Sequence, residues 1–246
     1  METLQEYTAE RRWRQCKSIR RSVDGNNVVQ EISNDLAVPG THIELASDVR
    51  SEQIVNFLAI YFYPDVNIDR AIGLVIDDWM KNALRSHYVE NLSLLLIDDA
   101  TDDVIGTRTI MISHKADYPI TNIIKNKESK LIFDFLLQKH DEMNVFEHYG
   151  VNTVFRFVNL GIRPDYRCRG LASMLMEAGV RFCSKVGPSD ACIWGEATSN
   201  ASQRIYEKCG FETLHTLYYD DYKVDGEIVF KDMGEDKSTK VYVKKL

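Results

Sequence analysis

The sequence contains no run of eighteen apolar residues, and its first stretch, METLQEYTAERRW, has no hydrophobic signal region. A membrane-spanning helix needs about 20 apolar residues, so nothing in the sequence predicts a membrane protein. The five cysteines are an odd number without a pairing pattern, which is typical of reduced thiols inside a cell. We therefore expect a cytoplasmic protein without a membrane partner.

Basic residues are also fewer than acidic ones. The chain carries 30 Lys and Arg residues against 37 Asp and Glu residues, a formal net charge of -7. This balance argues against non-specific nucleic-acid binding and favours a substrate that arrives as a cation, such as an amine. A basic cluster at 11–21, RRWRQCKSIRR, could bind a membrane surface or nucleic acid. Because Glu2, Glu6 and Glu10 dilute its charge, we expect a solvated arm instead, and no nucleic-acid partner.

Two common nucleotide-binding motifs are missing, the P-loop G-x-x-x-x-G-K-[ST] and the dinucleotide G-x-G-x-x-G. In their place stands a strand, a turn and a helix. TVFRFVNLGI at 153–162 is rich in β-branched and aromatic residues and predicts a buried strand. After the turn RPDYRCRGLA, apolar residues recur at helical spacing and predict a helix that begins near Gly170.

The start of that helix has the chemistry of an anion site. Its first amide groups lack intrahelical partners, and its dipole is positive at this end. Gly170 would let an anion approach the backbone closely, and Arg167 and Arg169 would add positive charge. The turn therefore predicts a phosphate or pyrophosphate site at 167–172.

Two motifs in this region resemble those of the GNAT superfamily of N-acetyltransferases. Arg167-x-x-Gly170-x-Ala172 resembles its acetyl-CoA loop, [QR]-x-x-G-x-[GA], although an ordinary turn with solvated arginines would explain this motif alone. A second strand at Ala191–Trp194 is followed by a short helix that ends at Gly210. The closing residues 206–211, YEKCGF, resemble the second GNAT motif, Y-E-K-x-G-F. Two motifs in the right order are more specific than either alone.

Further segments are similar to insect arylalkylamine N-acetyltransferases. FLAIYFYPDVNID at 57–69 resembles their first-helix segment, and NVFEHYG at 144–150 resembles the loop before their central strand. DYKVDGEIVFKD at 221–232 followed by VYVKK at 241–245 resembles their last strand pair. The similarity begins near residue 42, so we expect an N-terminal extension at 1–40 and a GNAT domain at 41–246.

The remaining pattern predicts a mixed α/β sheet. Strands are expected at 42–45, 92–97 and 104–113, and helices at 50–63, 69–87 and 128–140. The resemblance implies the GNAT fold, an α/β architecture with a mixed central sheet flanked by helices. In that fold the two central strands, here near 153–162 and 191–196, splay apart so that the pantetheine arm lies between them.

Acetyl-CoA is the cosubstrate that the resemblance implies, and no metal is expected. The residues expected to hold it are Leu160, Gly161, Ile162, Arg167, Cys168, Arg169, Gly170, Leu171, Ala172, Asn200, Ser202 and Tyr206.

Acetyl transfer to an amine needs a base to deprotonate the amine, an acid for the leaving thiolate and a donor for the oxyanion. The resemblance suggests Tyr206 as the acid, although this tyrosine could simply pack under CoA. It suggests a backbone N–H near Ile162 or Arg163 as the oxyanion donor. Ser202 and Thr198 match hydroxyl residues implicated in the insect enzymes, and both could instead cap a helix.

The base has more than one candidate, because the insect enzymes carry a D-E-P-L segment whose glutamate acts through water. Val66 stands at the position of that glutamate here. Asp65, one residue earlier, could replace it or could be a solvent-facing turn residue. His148 is another candidate, although an isolated histidine is more often a packing or surface residue.

The leading hypothesis is therefore a monomeric, acetyl-CoA-dependent N-acetyltransferase that acts on a small primary amine. Arylalkylamines come first as acceptors and polyamine-like amines second. The missing glutamate leaves open a CoA-binding protein of the same fold without acyl transfer. A peptide acetyltransferase with an open acceptor groove is the third alternative.

Overall fold

The computed structural model describes residues 23–88, 92–114, 124, 126–137 and 145–246. Its α-helices are α1 (Gly25–Asp35), α2 (Ser51–Phe57), α3 (Asn67–Ala71), α4 (Asp78–Tyr88), α5 (Lys127–Leu137), α6 (Val145–Tyr149), α7 (Leu171–Val186) and α8 (Asn200–Lys208). Its strands are β1 (Thr41–Leu45), β2 (Leu94–Asp98), β3 (Val104–His114), β4 (Thr153–Ile162), β5 (Cys192–Ala197), β6 (Glu212–Tyr218), β7 (Lys223–Val224), β8 (Glu227–Ile228) and β9 (Ser238–Lys245).

Seven strands form one mixed sheet in the order β1-β2-β3-β4-β5-β9-β6. The β4–β5 pair is parallel, and the other neighbouring strands are antiparallel. A parallel pair needs a crossover connection, and α7 supplies it between β4 and β5. Helices pack on both faces of the sheet, so the prediction of a GNAT-type α/β fold is confirmed.

The two central strands separate part-way along their length. β4 pairs with β5 only from Val154 to Phe157, and β4 continues to Ile162 without that neighbour. A register shift against β3 falls at the same point, because Ile110 faces Phe157 and Arg108 faces Leu160. Two residues of β4 thus oppose one of β3, and such a bulge bends a strand. The predicted splay of the central strands is therefore present, and the bulge is its local cause.

One face of the sheet is covered by α7 and α1. The long α7 follows the predicted apolar spacing and buries that side against β3 and β4. Helix α1 packs on β1 and α7, and it places Val28, Val29 and Ile32 in the same apolar cluster. This helix lies within the segment predicted as an N-terminal extension at 1–40. The basic stretch at 11–21 lies outside the described residues.

The first half of the chain departs from the predicted helices in two ways. The helix predicted at 50–63 becomes α2, then a π-helix at Leu58–Phe62 and a 3-10 turn at Tyr63–Asp65. The single helix predicted at 69–87 is wrong, because α3 ends at Ala71 and α4 begins at Asp78. Gly73 between them has a φ of 67°, which a helix does not allow. The break leaves the short α3 free to lie beside the splay.

The predicted last strand pair also needs correction. The sheet ends with β9 pairing β6, so the partner of the last strand is Glu212–Tyr218 rather than 221–232. The segment at 221–232 instead contains the small hairpin of β7 and β8, which forms a sheet of its own. Among the helices in the described part of the chain, none is long and apolar enough to cross a membrane.

Candidate active site

The turn between β4 and α7 has the geometry of an anion site. Gly170 stands at the N-cap of α7 with a φ of 78°, and no side chain caps the helix within the described part of the chain. Met174 is the residue whose amide closes the first helical turn, by donating to the Gly170 carbonyl at 3.1 Å. Nothing in the described chain lies within 4 Å of the position that a Cβ of Gly170 would take. The amides before Met174 thus border open space, as an incoming phosphate requires.

The two arginines of this turn have different places. Arg167 Nε donates to the Ile162 carbonyl at 2.8 Å, and Arg167 Nη1 lies 2.6 Å from Asp65 Oδ2. Arg167 therefore connects this turn to the 3-10 turn at Tyr63–Asp65, which follows the π-helix. Arg169 instead donates to the Asp165 carbonyl at 3.0 Å and lies over the ring of Tyr166. Arg167 lines the cavity at this turn, whereas the described lining does not include Arg169.

The free edge of β4 leads from this turn toward the splay. Leu160, Gly161 and Ile162 line the cavity, as does Val158, whose side chain is 41% exposed at the bulge. An extended ligand with amide groups can pair with such an edge as an added strand does. The Arg163 N–H already donates to the Ile105 carbonyl at 2.8 Å, so this candidate oxyanion donor is engaged.

Tyr206 lies where the two strands part. Its side chain is buried, and a Cβ on Gly195 would come within 2.1 Å of its hydroxyl oxygen. Gly195 is the last residue of β5 that pairs with β4, opposite Phe157. Burial raises the pKa of Tyr206, while the buried Arg108 guanidinium opposes that rise. The phenol therefore stays protonated at neutral pH, as a proton donor must.

The loop from β5 into α8 carries the predicted hydroxyl residues. Ser202 and Ser199 form a capping box in which the Ser202 N–H donates to Ser199 Oγ at 3.2 Å and the Ser199 N–H donates to Ser202 Oγ at 3.2 Å. Ser202 thus caps α8, the structural alternative considered from the sequence. The Thr198 carbonyl accepts from Asn67 Nδ2 at 2.6 Å and from the Tyr219 hydroxyl. Both Thr198 and Ser202 line the cavity.

Two other predicted residues lie away from this arrangement. His148 is exposed on α6 and makes an edge contact with Tyr149 at 4.7 Å between ring centroids. The Asn200 N–H donates to Asp236 Oδ1 at 2.7 Å, and its side-chain amide donates to the Glu235 carbonyl at 3.0 Å. Neither residue is among the described residues that line the cavity.

A single cavity of about 740 Å³ joins these parts. Its lining brings together most of the predicted residues: Asp65, Leu160, Gly161, Ile162, Arg167, Cys168, Gly170, Leu171, Ala172, Thr198, Ser202 and Tyr206. Much of the remaining lining is apolar and aromatic, with Tyr61, Phe62, Tyr63, Trp79, Ile132, Phe133 and Leu136. An anion-binding turn and an aromatic chamber thus open into one space, with Tyr206 along its wall.

Several charged residues of this lining were missed by sequence reasoning. Arg156 and Glu196 pair across β4 and β5 at 2.7 Å, and Arg156 lies over the Trp194 ring at 4.1 Å. Asp69 on α3 is 6% exposed, and burial raises its pKa to about 8. The alternation of strand residues could have placed Arg156 and Glu196 on one face. Nothing in the sequence of the turn before α3 indicated that Asp69 would be buried.

Residues 137–213 match the family model of the acetyltransferase (GNAT) domain. This part of the chain is identified as a GNAT acetyltransferase domain. The matched segment contains β4, the turn at 167–172, α7, β5 and α8, which supply part of the cavity lining. GNAT acetyltransferases take their acyl group from acetyl-CoA, and the free turn and strand edge fit this molecule. The protein is therefore an acyltransferase, and acetyl-CoA is its acyl donor.

Solved structures extend the similarity in fold over most of the chain. A mosquito arylalkylamine N-acetyltransferase like 5b is 22% identical with a TM-score of 0.75, over 84% of this chain and 100% of that chain. Arylalkylamine N-acetyltransferase 2 from Aedes aegypti is 23% identical with a TM-score of 0.76, over 83% and 98%. A Drosophila melanogaster polyamine N-acetyltransferase that forms N-acetylagmatine is 18% identical with a TM-score of 0.73, over 84% and 100%. At these identities the similarity establishes the fold.

Proposed function

We propose that the protein transfers the acetyl group of acetyl-CoA to an arylalkylamine such as tyramine, dopamine, tryptamine or serotonin. The observation that carries the proposal is a cavity whose lining includes both the turn at 167–172 and several aromatic side chains. An aryl ring gains from burial against aromatic side chains, and the alkyl chain would carry its amine toward the splay. The negative net charge of the chain favours a cationic acceptor.

The charges around the cavity favour an acceptor with one cation. Glu196 is occupied by Arg156 at 2.7 Å, and Asp65 by Arg167 at 2.6 Å. Within the described part of the lining, Asp69 is then the acidic residue without a basic partner. A diamine or agmatine would place its second cation among aromatic groups without an acid to receive it. We therefore rank arylalkylamines above polyamines.

The reaction is a direct attack of the amine nitrogen on the thioester carbonyl. The new N–C bond forms, the C–S bond breaks, and the CoA thiolate leaves. In this proposal the Tyr206 hydroxyl protonates the thiolate, because it lies at the point where the strands part and keeps its proton at neutral pH. Thr198 and Ser202 border the same space and would contact the acceptor or CoA.

An amine panel tests the proposal. Release of CoA thiol from acetyl-CoA is followed with tyramine, tryptamine, serotonin, agmatine, spermidine and a peptide with a free N-terminus. We expect kcat/KM for the best arylalkylamine to exceed that for agmatine by about tenfold or more, the size of one unpaired cation's penalty of about 1.4 kcal/mol. Acetyl-CoA binding without turnover of any amine would instead identify a CoA-binding protein without acyl transfer.

The valine at the position of the insect glutamate offers a second test of the acceptor class. Val66 lines the cavity close to Asp65, in the segment between the π-helix and α3. Val66→Glu restores a carboxylate there and should raise kcat/KM for an arylalkylamine if the pocket still receives one. A folded Val66→Glu protein that is no faster on any arylalkylamine would argue for a different acceptor.

A further inference from the structure

Asp69 is a buried carboxyl group in the wall of the cavity, and no ion-pair partner faces it within the described part of the chain. Its side chain is 6% exposed, and its backbone carbonyl accepts from the Leu74 N–H at 2.9 Å. Asp65 and Glu196, the other acidic residues of the described lining, each have an arginine partner. A buried carboxylate is costly unless a cation or hydrogen-bond donors compensate it.

The position of Asp69 is fixed by its neighbour two residues earlier. Asn67 Nδ2 donates to the Thr198 carbonyl at 2.6 Å and to Asp236 Oδ2 at 3.0 Å. Helix α3 is thereby held against the loop that runs from β5 into α8, the helix that carries Tyr206. Asp69 is thus anchored on a helix that packs against the Thr198 loop, and both Asp69 and Thr198 line the cavity.

We propose that Asp69 is the general base of the reaction, and that its carboxylate pairs with the ammonium group of the acceptor and takes a proton from it. This inference rests on the proposed function and deepens it, because it assigns the step that the absent glutamate would have performed. Asp65 is less suited to the step, since it is half-exposed and held by Arg167 at 2.6 Å.

The proton balance of the reaction follows from this assignment. The ammonium gives one proton to Asp69 and becomes a neutral amine, whose nitrogen attacks the thioester carbonyl carbon. The C–S bond then breaks, and the thiolate takes a proton from Tyr206. The second proton of the amide nitrogen returns to the Tyr206 phenolate. Asp69 keeps the proton of the ammonium in place of the one that it released to solvent when the acceptor bound. The sum is an amide, CoA thiol and one released proton.

Burial gives Asp69 a basicity that an exposed aspartate lacks. The pKa of an alkylammonium is near 10 and that of an ordinary aspartate is near 4. Direct proton transfer from the ammonium to such a carboxylate is therefore unfavourable by about six pKa units. Desolvation raises the pKa of Asp69 to about 8, which reduces the difference to about two units. A base with a pKa close to the working pH is the more effective catalyst.

The charged groups around Asp69 leave this assignment intact. Arg70 beside it in α3 is exposed, and Asp236 accepts from Asn67 and from the Asn200 N–H. Arg108, on β3, lies with its guanidinium 4.4 Å from the centre of the Phe157 ring. The Arg156 and Glu196 pair faces the cavity from β4 and β5.

Calorimetry with tyramine tests the assignment without relying on turnover. Tyramine is titrated at pH 7 into protein saturated with CoA, in two buffers of different ionisation enthalpy. In the wild type we expect the release of up to about one proton per tyramine bound, because the ammonium displaces the proton of Asp69. Asp69→Asn should bind tyramine about tenfold more weakly or worse and release no proton. The substitution keeps the side-chain shape, so folding is preserved.

The activity readout uses the same variant with two comparisons. Asp69→Asn should lower kcat/KM for tyramine by about 10²-fold or more, with acetyl-CoA affinity unchanged, and should shift the acidic limb of its pH profile up to the ionisation of tyramine itself. Asp65→Asn tests the competing base. Asp232→Asn is the matched control, because Asp232 is exposed with a φ of 59°, which asparagine also adopts, and it should behave as wild type.

The outcomes separate the two proposals. Suppose that the wild type turns over tyramine and that Asp69→Asn matches it in tyramine binding, proton release and rate. This result would overturn the assignment of Asp69 as the base and leave the proposed function standing. Loss of tyramine binding in Asp65→Asn but not in Asp69→Asn would move the base to Asp65. A wild type that binds tyramine with proton release yet turns over no amine would support Asp69 as the cation site while the proposed function fails. A wild type that binds no tyramine would overturn both.

Discussion

Tyr206 illustrates how one side chain is placed by its neighbours. Its ring stacks on Tyr242 with 4.8 Å between centroids and an angle of 9°, and it meets Phe211 edge-on at 4.9 Å. Its hydroxyl occupies the space that Gly195 leaves by having no side chain. The ring is thus fixed on two sides, and the hydroxyl is fixed at the point where β4 and β5 separate. Such rigidity is what a proton donor aimed at one sulfur atom requires.

Replacement of Tyr206 by Phe should therefore affect chemistry and leave packing intact. We expect kcat to fall by about 10²-fold with little change in acetyl-CoA affinity, because the ring remains and the proton donor is lost. Steady-state rates at saturating substrates and calorimetric binding of acetyl-CoA measure the two effects. Tyr242→Phe is the control, since the Tyr242 hydroxyl donates to Glu207 at 2.9 Å. Equal effects of the two substitutions would make Tyr206 a packing residue.

Asp69 should also appear in the pH dependence of stability. Its pKa rises from the ordinary value of 3.8 to about 8 on folding, so the folded state binds more protons than the unfolded state between those values. The stability that protonated Asp69 contributes is fully present below its unfolded pKa and is lost as pH rises through the folded pKa. Asp69→Asn should remove this loss. As pH rises between these two values, the free energy of unfolding of Asp69→Asn should therefore increase relative to that of wild type, by up to about 1.4 kcal/mol per pH unit.

Urea unfolding at pH 5, 6 and 7 measures that difference. Other groups titrate over the same range, so each variant is compared with wild type at every pH. Asp232→Asn should follow the wild-type curve. A constant difference between Asp69→Asn and wild type across the three pH values would show that the carboxyl group of Asp69 does not keep its proton in the folded protein.

Sequence reasoning found some of these residues and missed others for a physical reason. Tyr206 and Gly170 belong to local motifs whose spacing fixes their place relative to a strand and a helix. Asp69 follows a Pro-Asp turn, and no residue near it in the sequence indicates burial. That burial depends on Asn67 bonding to Thr198 and Asp236, which are more than 130 residues away. Contacts of that separation leave no local pattern in one sequence.

At the scale of elements, the site depends on the end of β4 and the start of α7. The bulge turns the last part of β4 away from β5, and the chain then reaches the helix through Cys168, with a φ of 61°, and Gly170, with a φ of 78°. Two of the three residues at 168–170 thus have a left-handed backbone conformation. The first turn of α7 follows them and begins at the cavity. The strand edge and the helix end together suit a ligand with both amide and phosphate groups.

Gly170→Glu tests this arrangement. A carboxylate at the start of α7 would fill the open space and repel a pyrophosphate, so acetyl-CoA binding should weaken by at least about tenfold, about 1.4 kcal/mol. Gly226→Glu is a matched control, because Gly226 has a φ of 85° and an added Cβ there would also meet no described atom within 4 Å. Calorimetry with acetyl-CoA and thermal unfolding compare the two variants. Equal acetyl-CoA affinity in both folded variants would exclude the turn as the phosphate site.

The elements themselves were predicted unevenly. The strand at 153–162 and the helix after Gly170 were predicted well because each follows one strong periodicity over ten or more residues. The helix predicted at 69–87 failed at Gly73, where a single glycine was compatible with either a helix or a turn. The partner of the last strand was misplaced because strand pairing is a long-range choice, and 221–232 has its own local hairpin.

At the scale of the whole molecule, three apolar clusters of the described residues pack on the sheet, and α1 contributes to the largest of these three. Val28, Val29 and Ile32 of α1 lie in one cluster with residues of β1, β4 and α7. The helix also follows a helical spacing in the sequence, with Asp24 accepting from the Asn26 N–H at its N-terminus. Because α7 begins at the turn proposed to bind the phosphates of acetyl-CoA, α1 supports the element that would hold this ligand.

The predicted boundary between an extension at 1–40 and a domain at 41–246 can therefore be tested by measuring stability. If α1 belongs to the folding unit, Ile32→Ala should lower the free energy of unfolding by about 2–4 kcal/mol, because it empties a fully buried site. Asn27→Ala, on the exposed side of the same helix, should change it by less than about 0.5 kcal/mol. Urea unfolding measures both values. A single cooperative transition with this difference would place α1 within the acetyltransferase domain, whereas equal stability of the two variants would leave it an appendage.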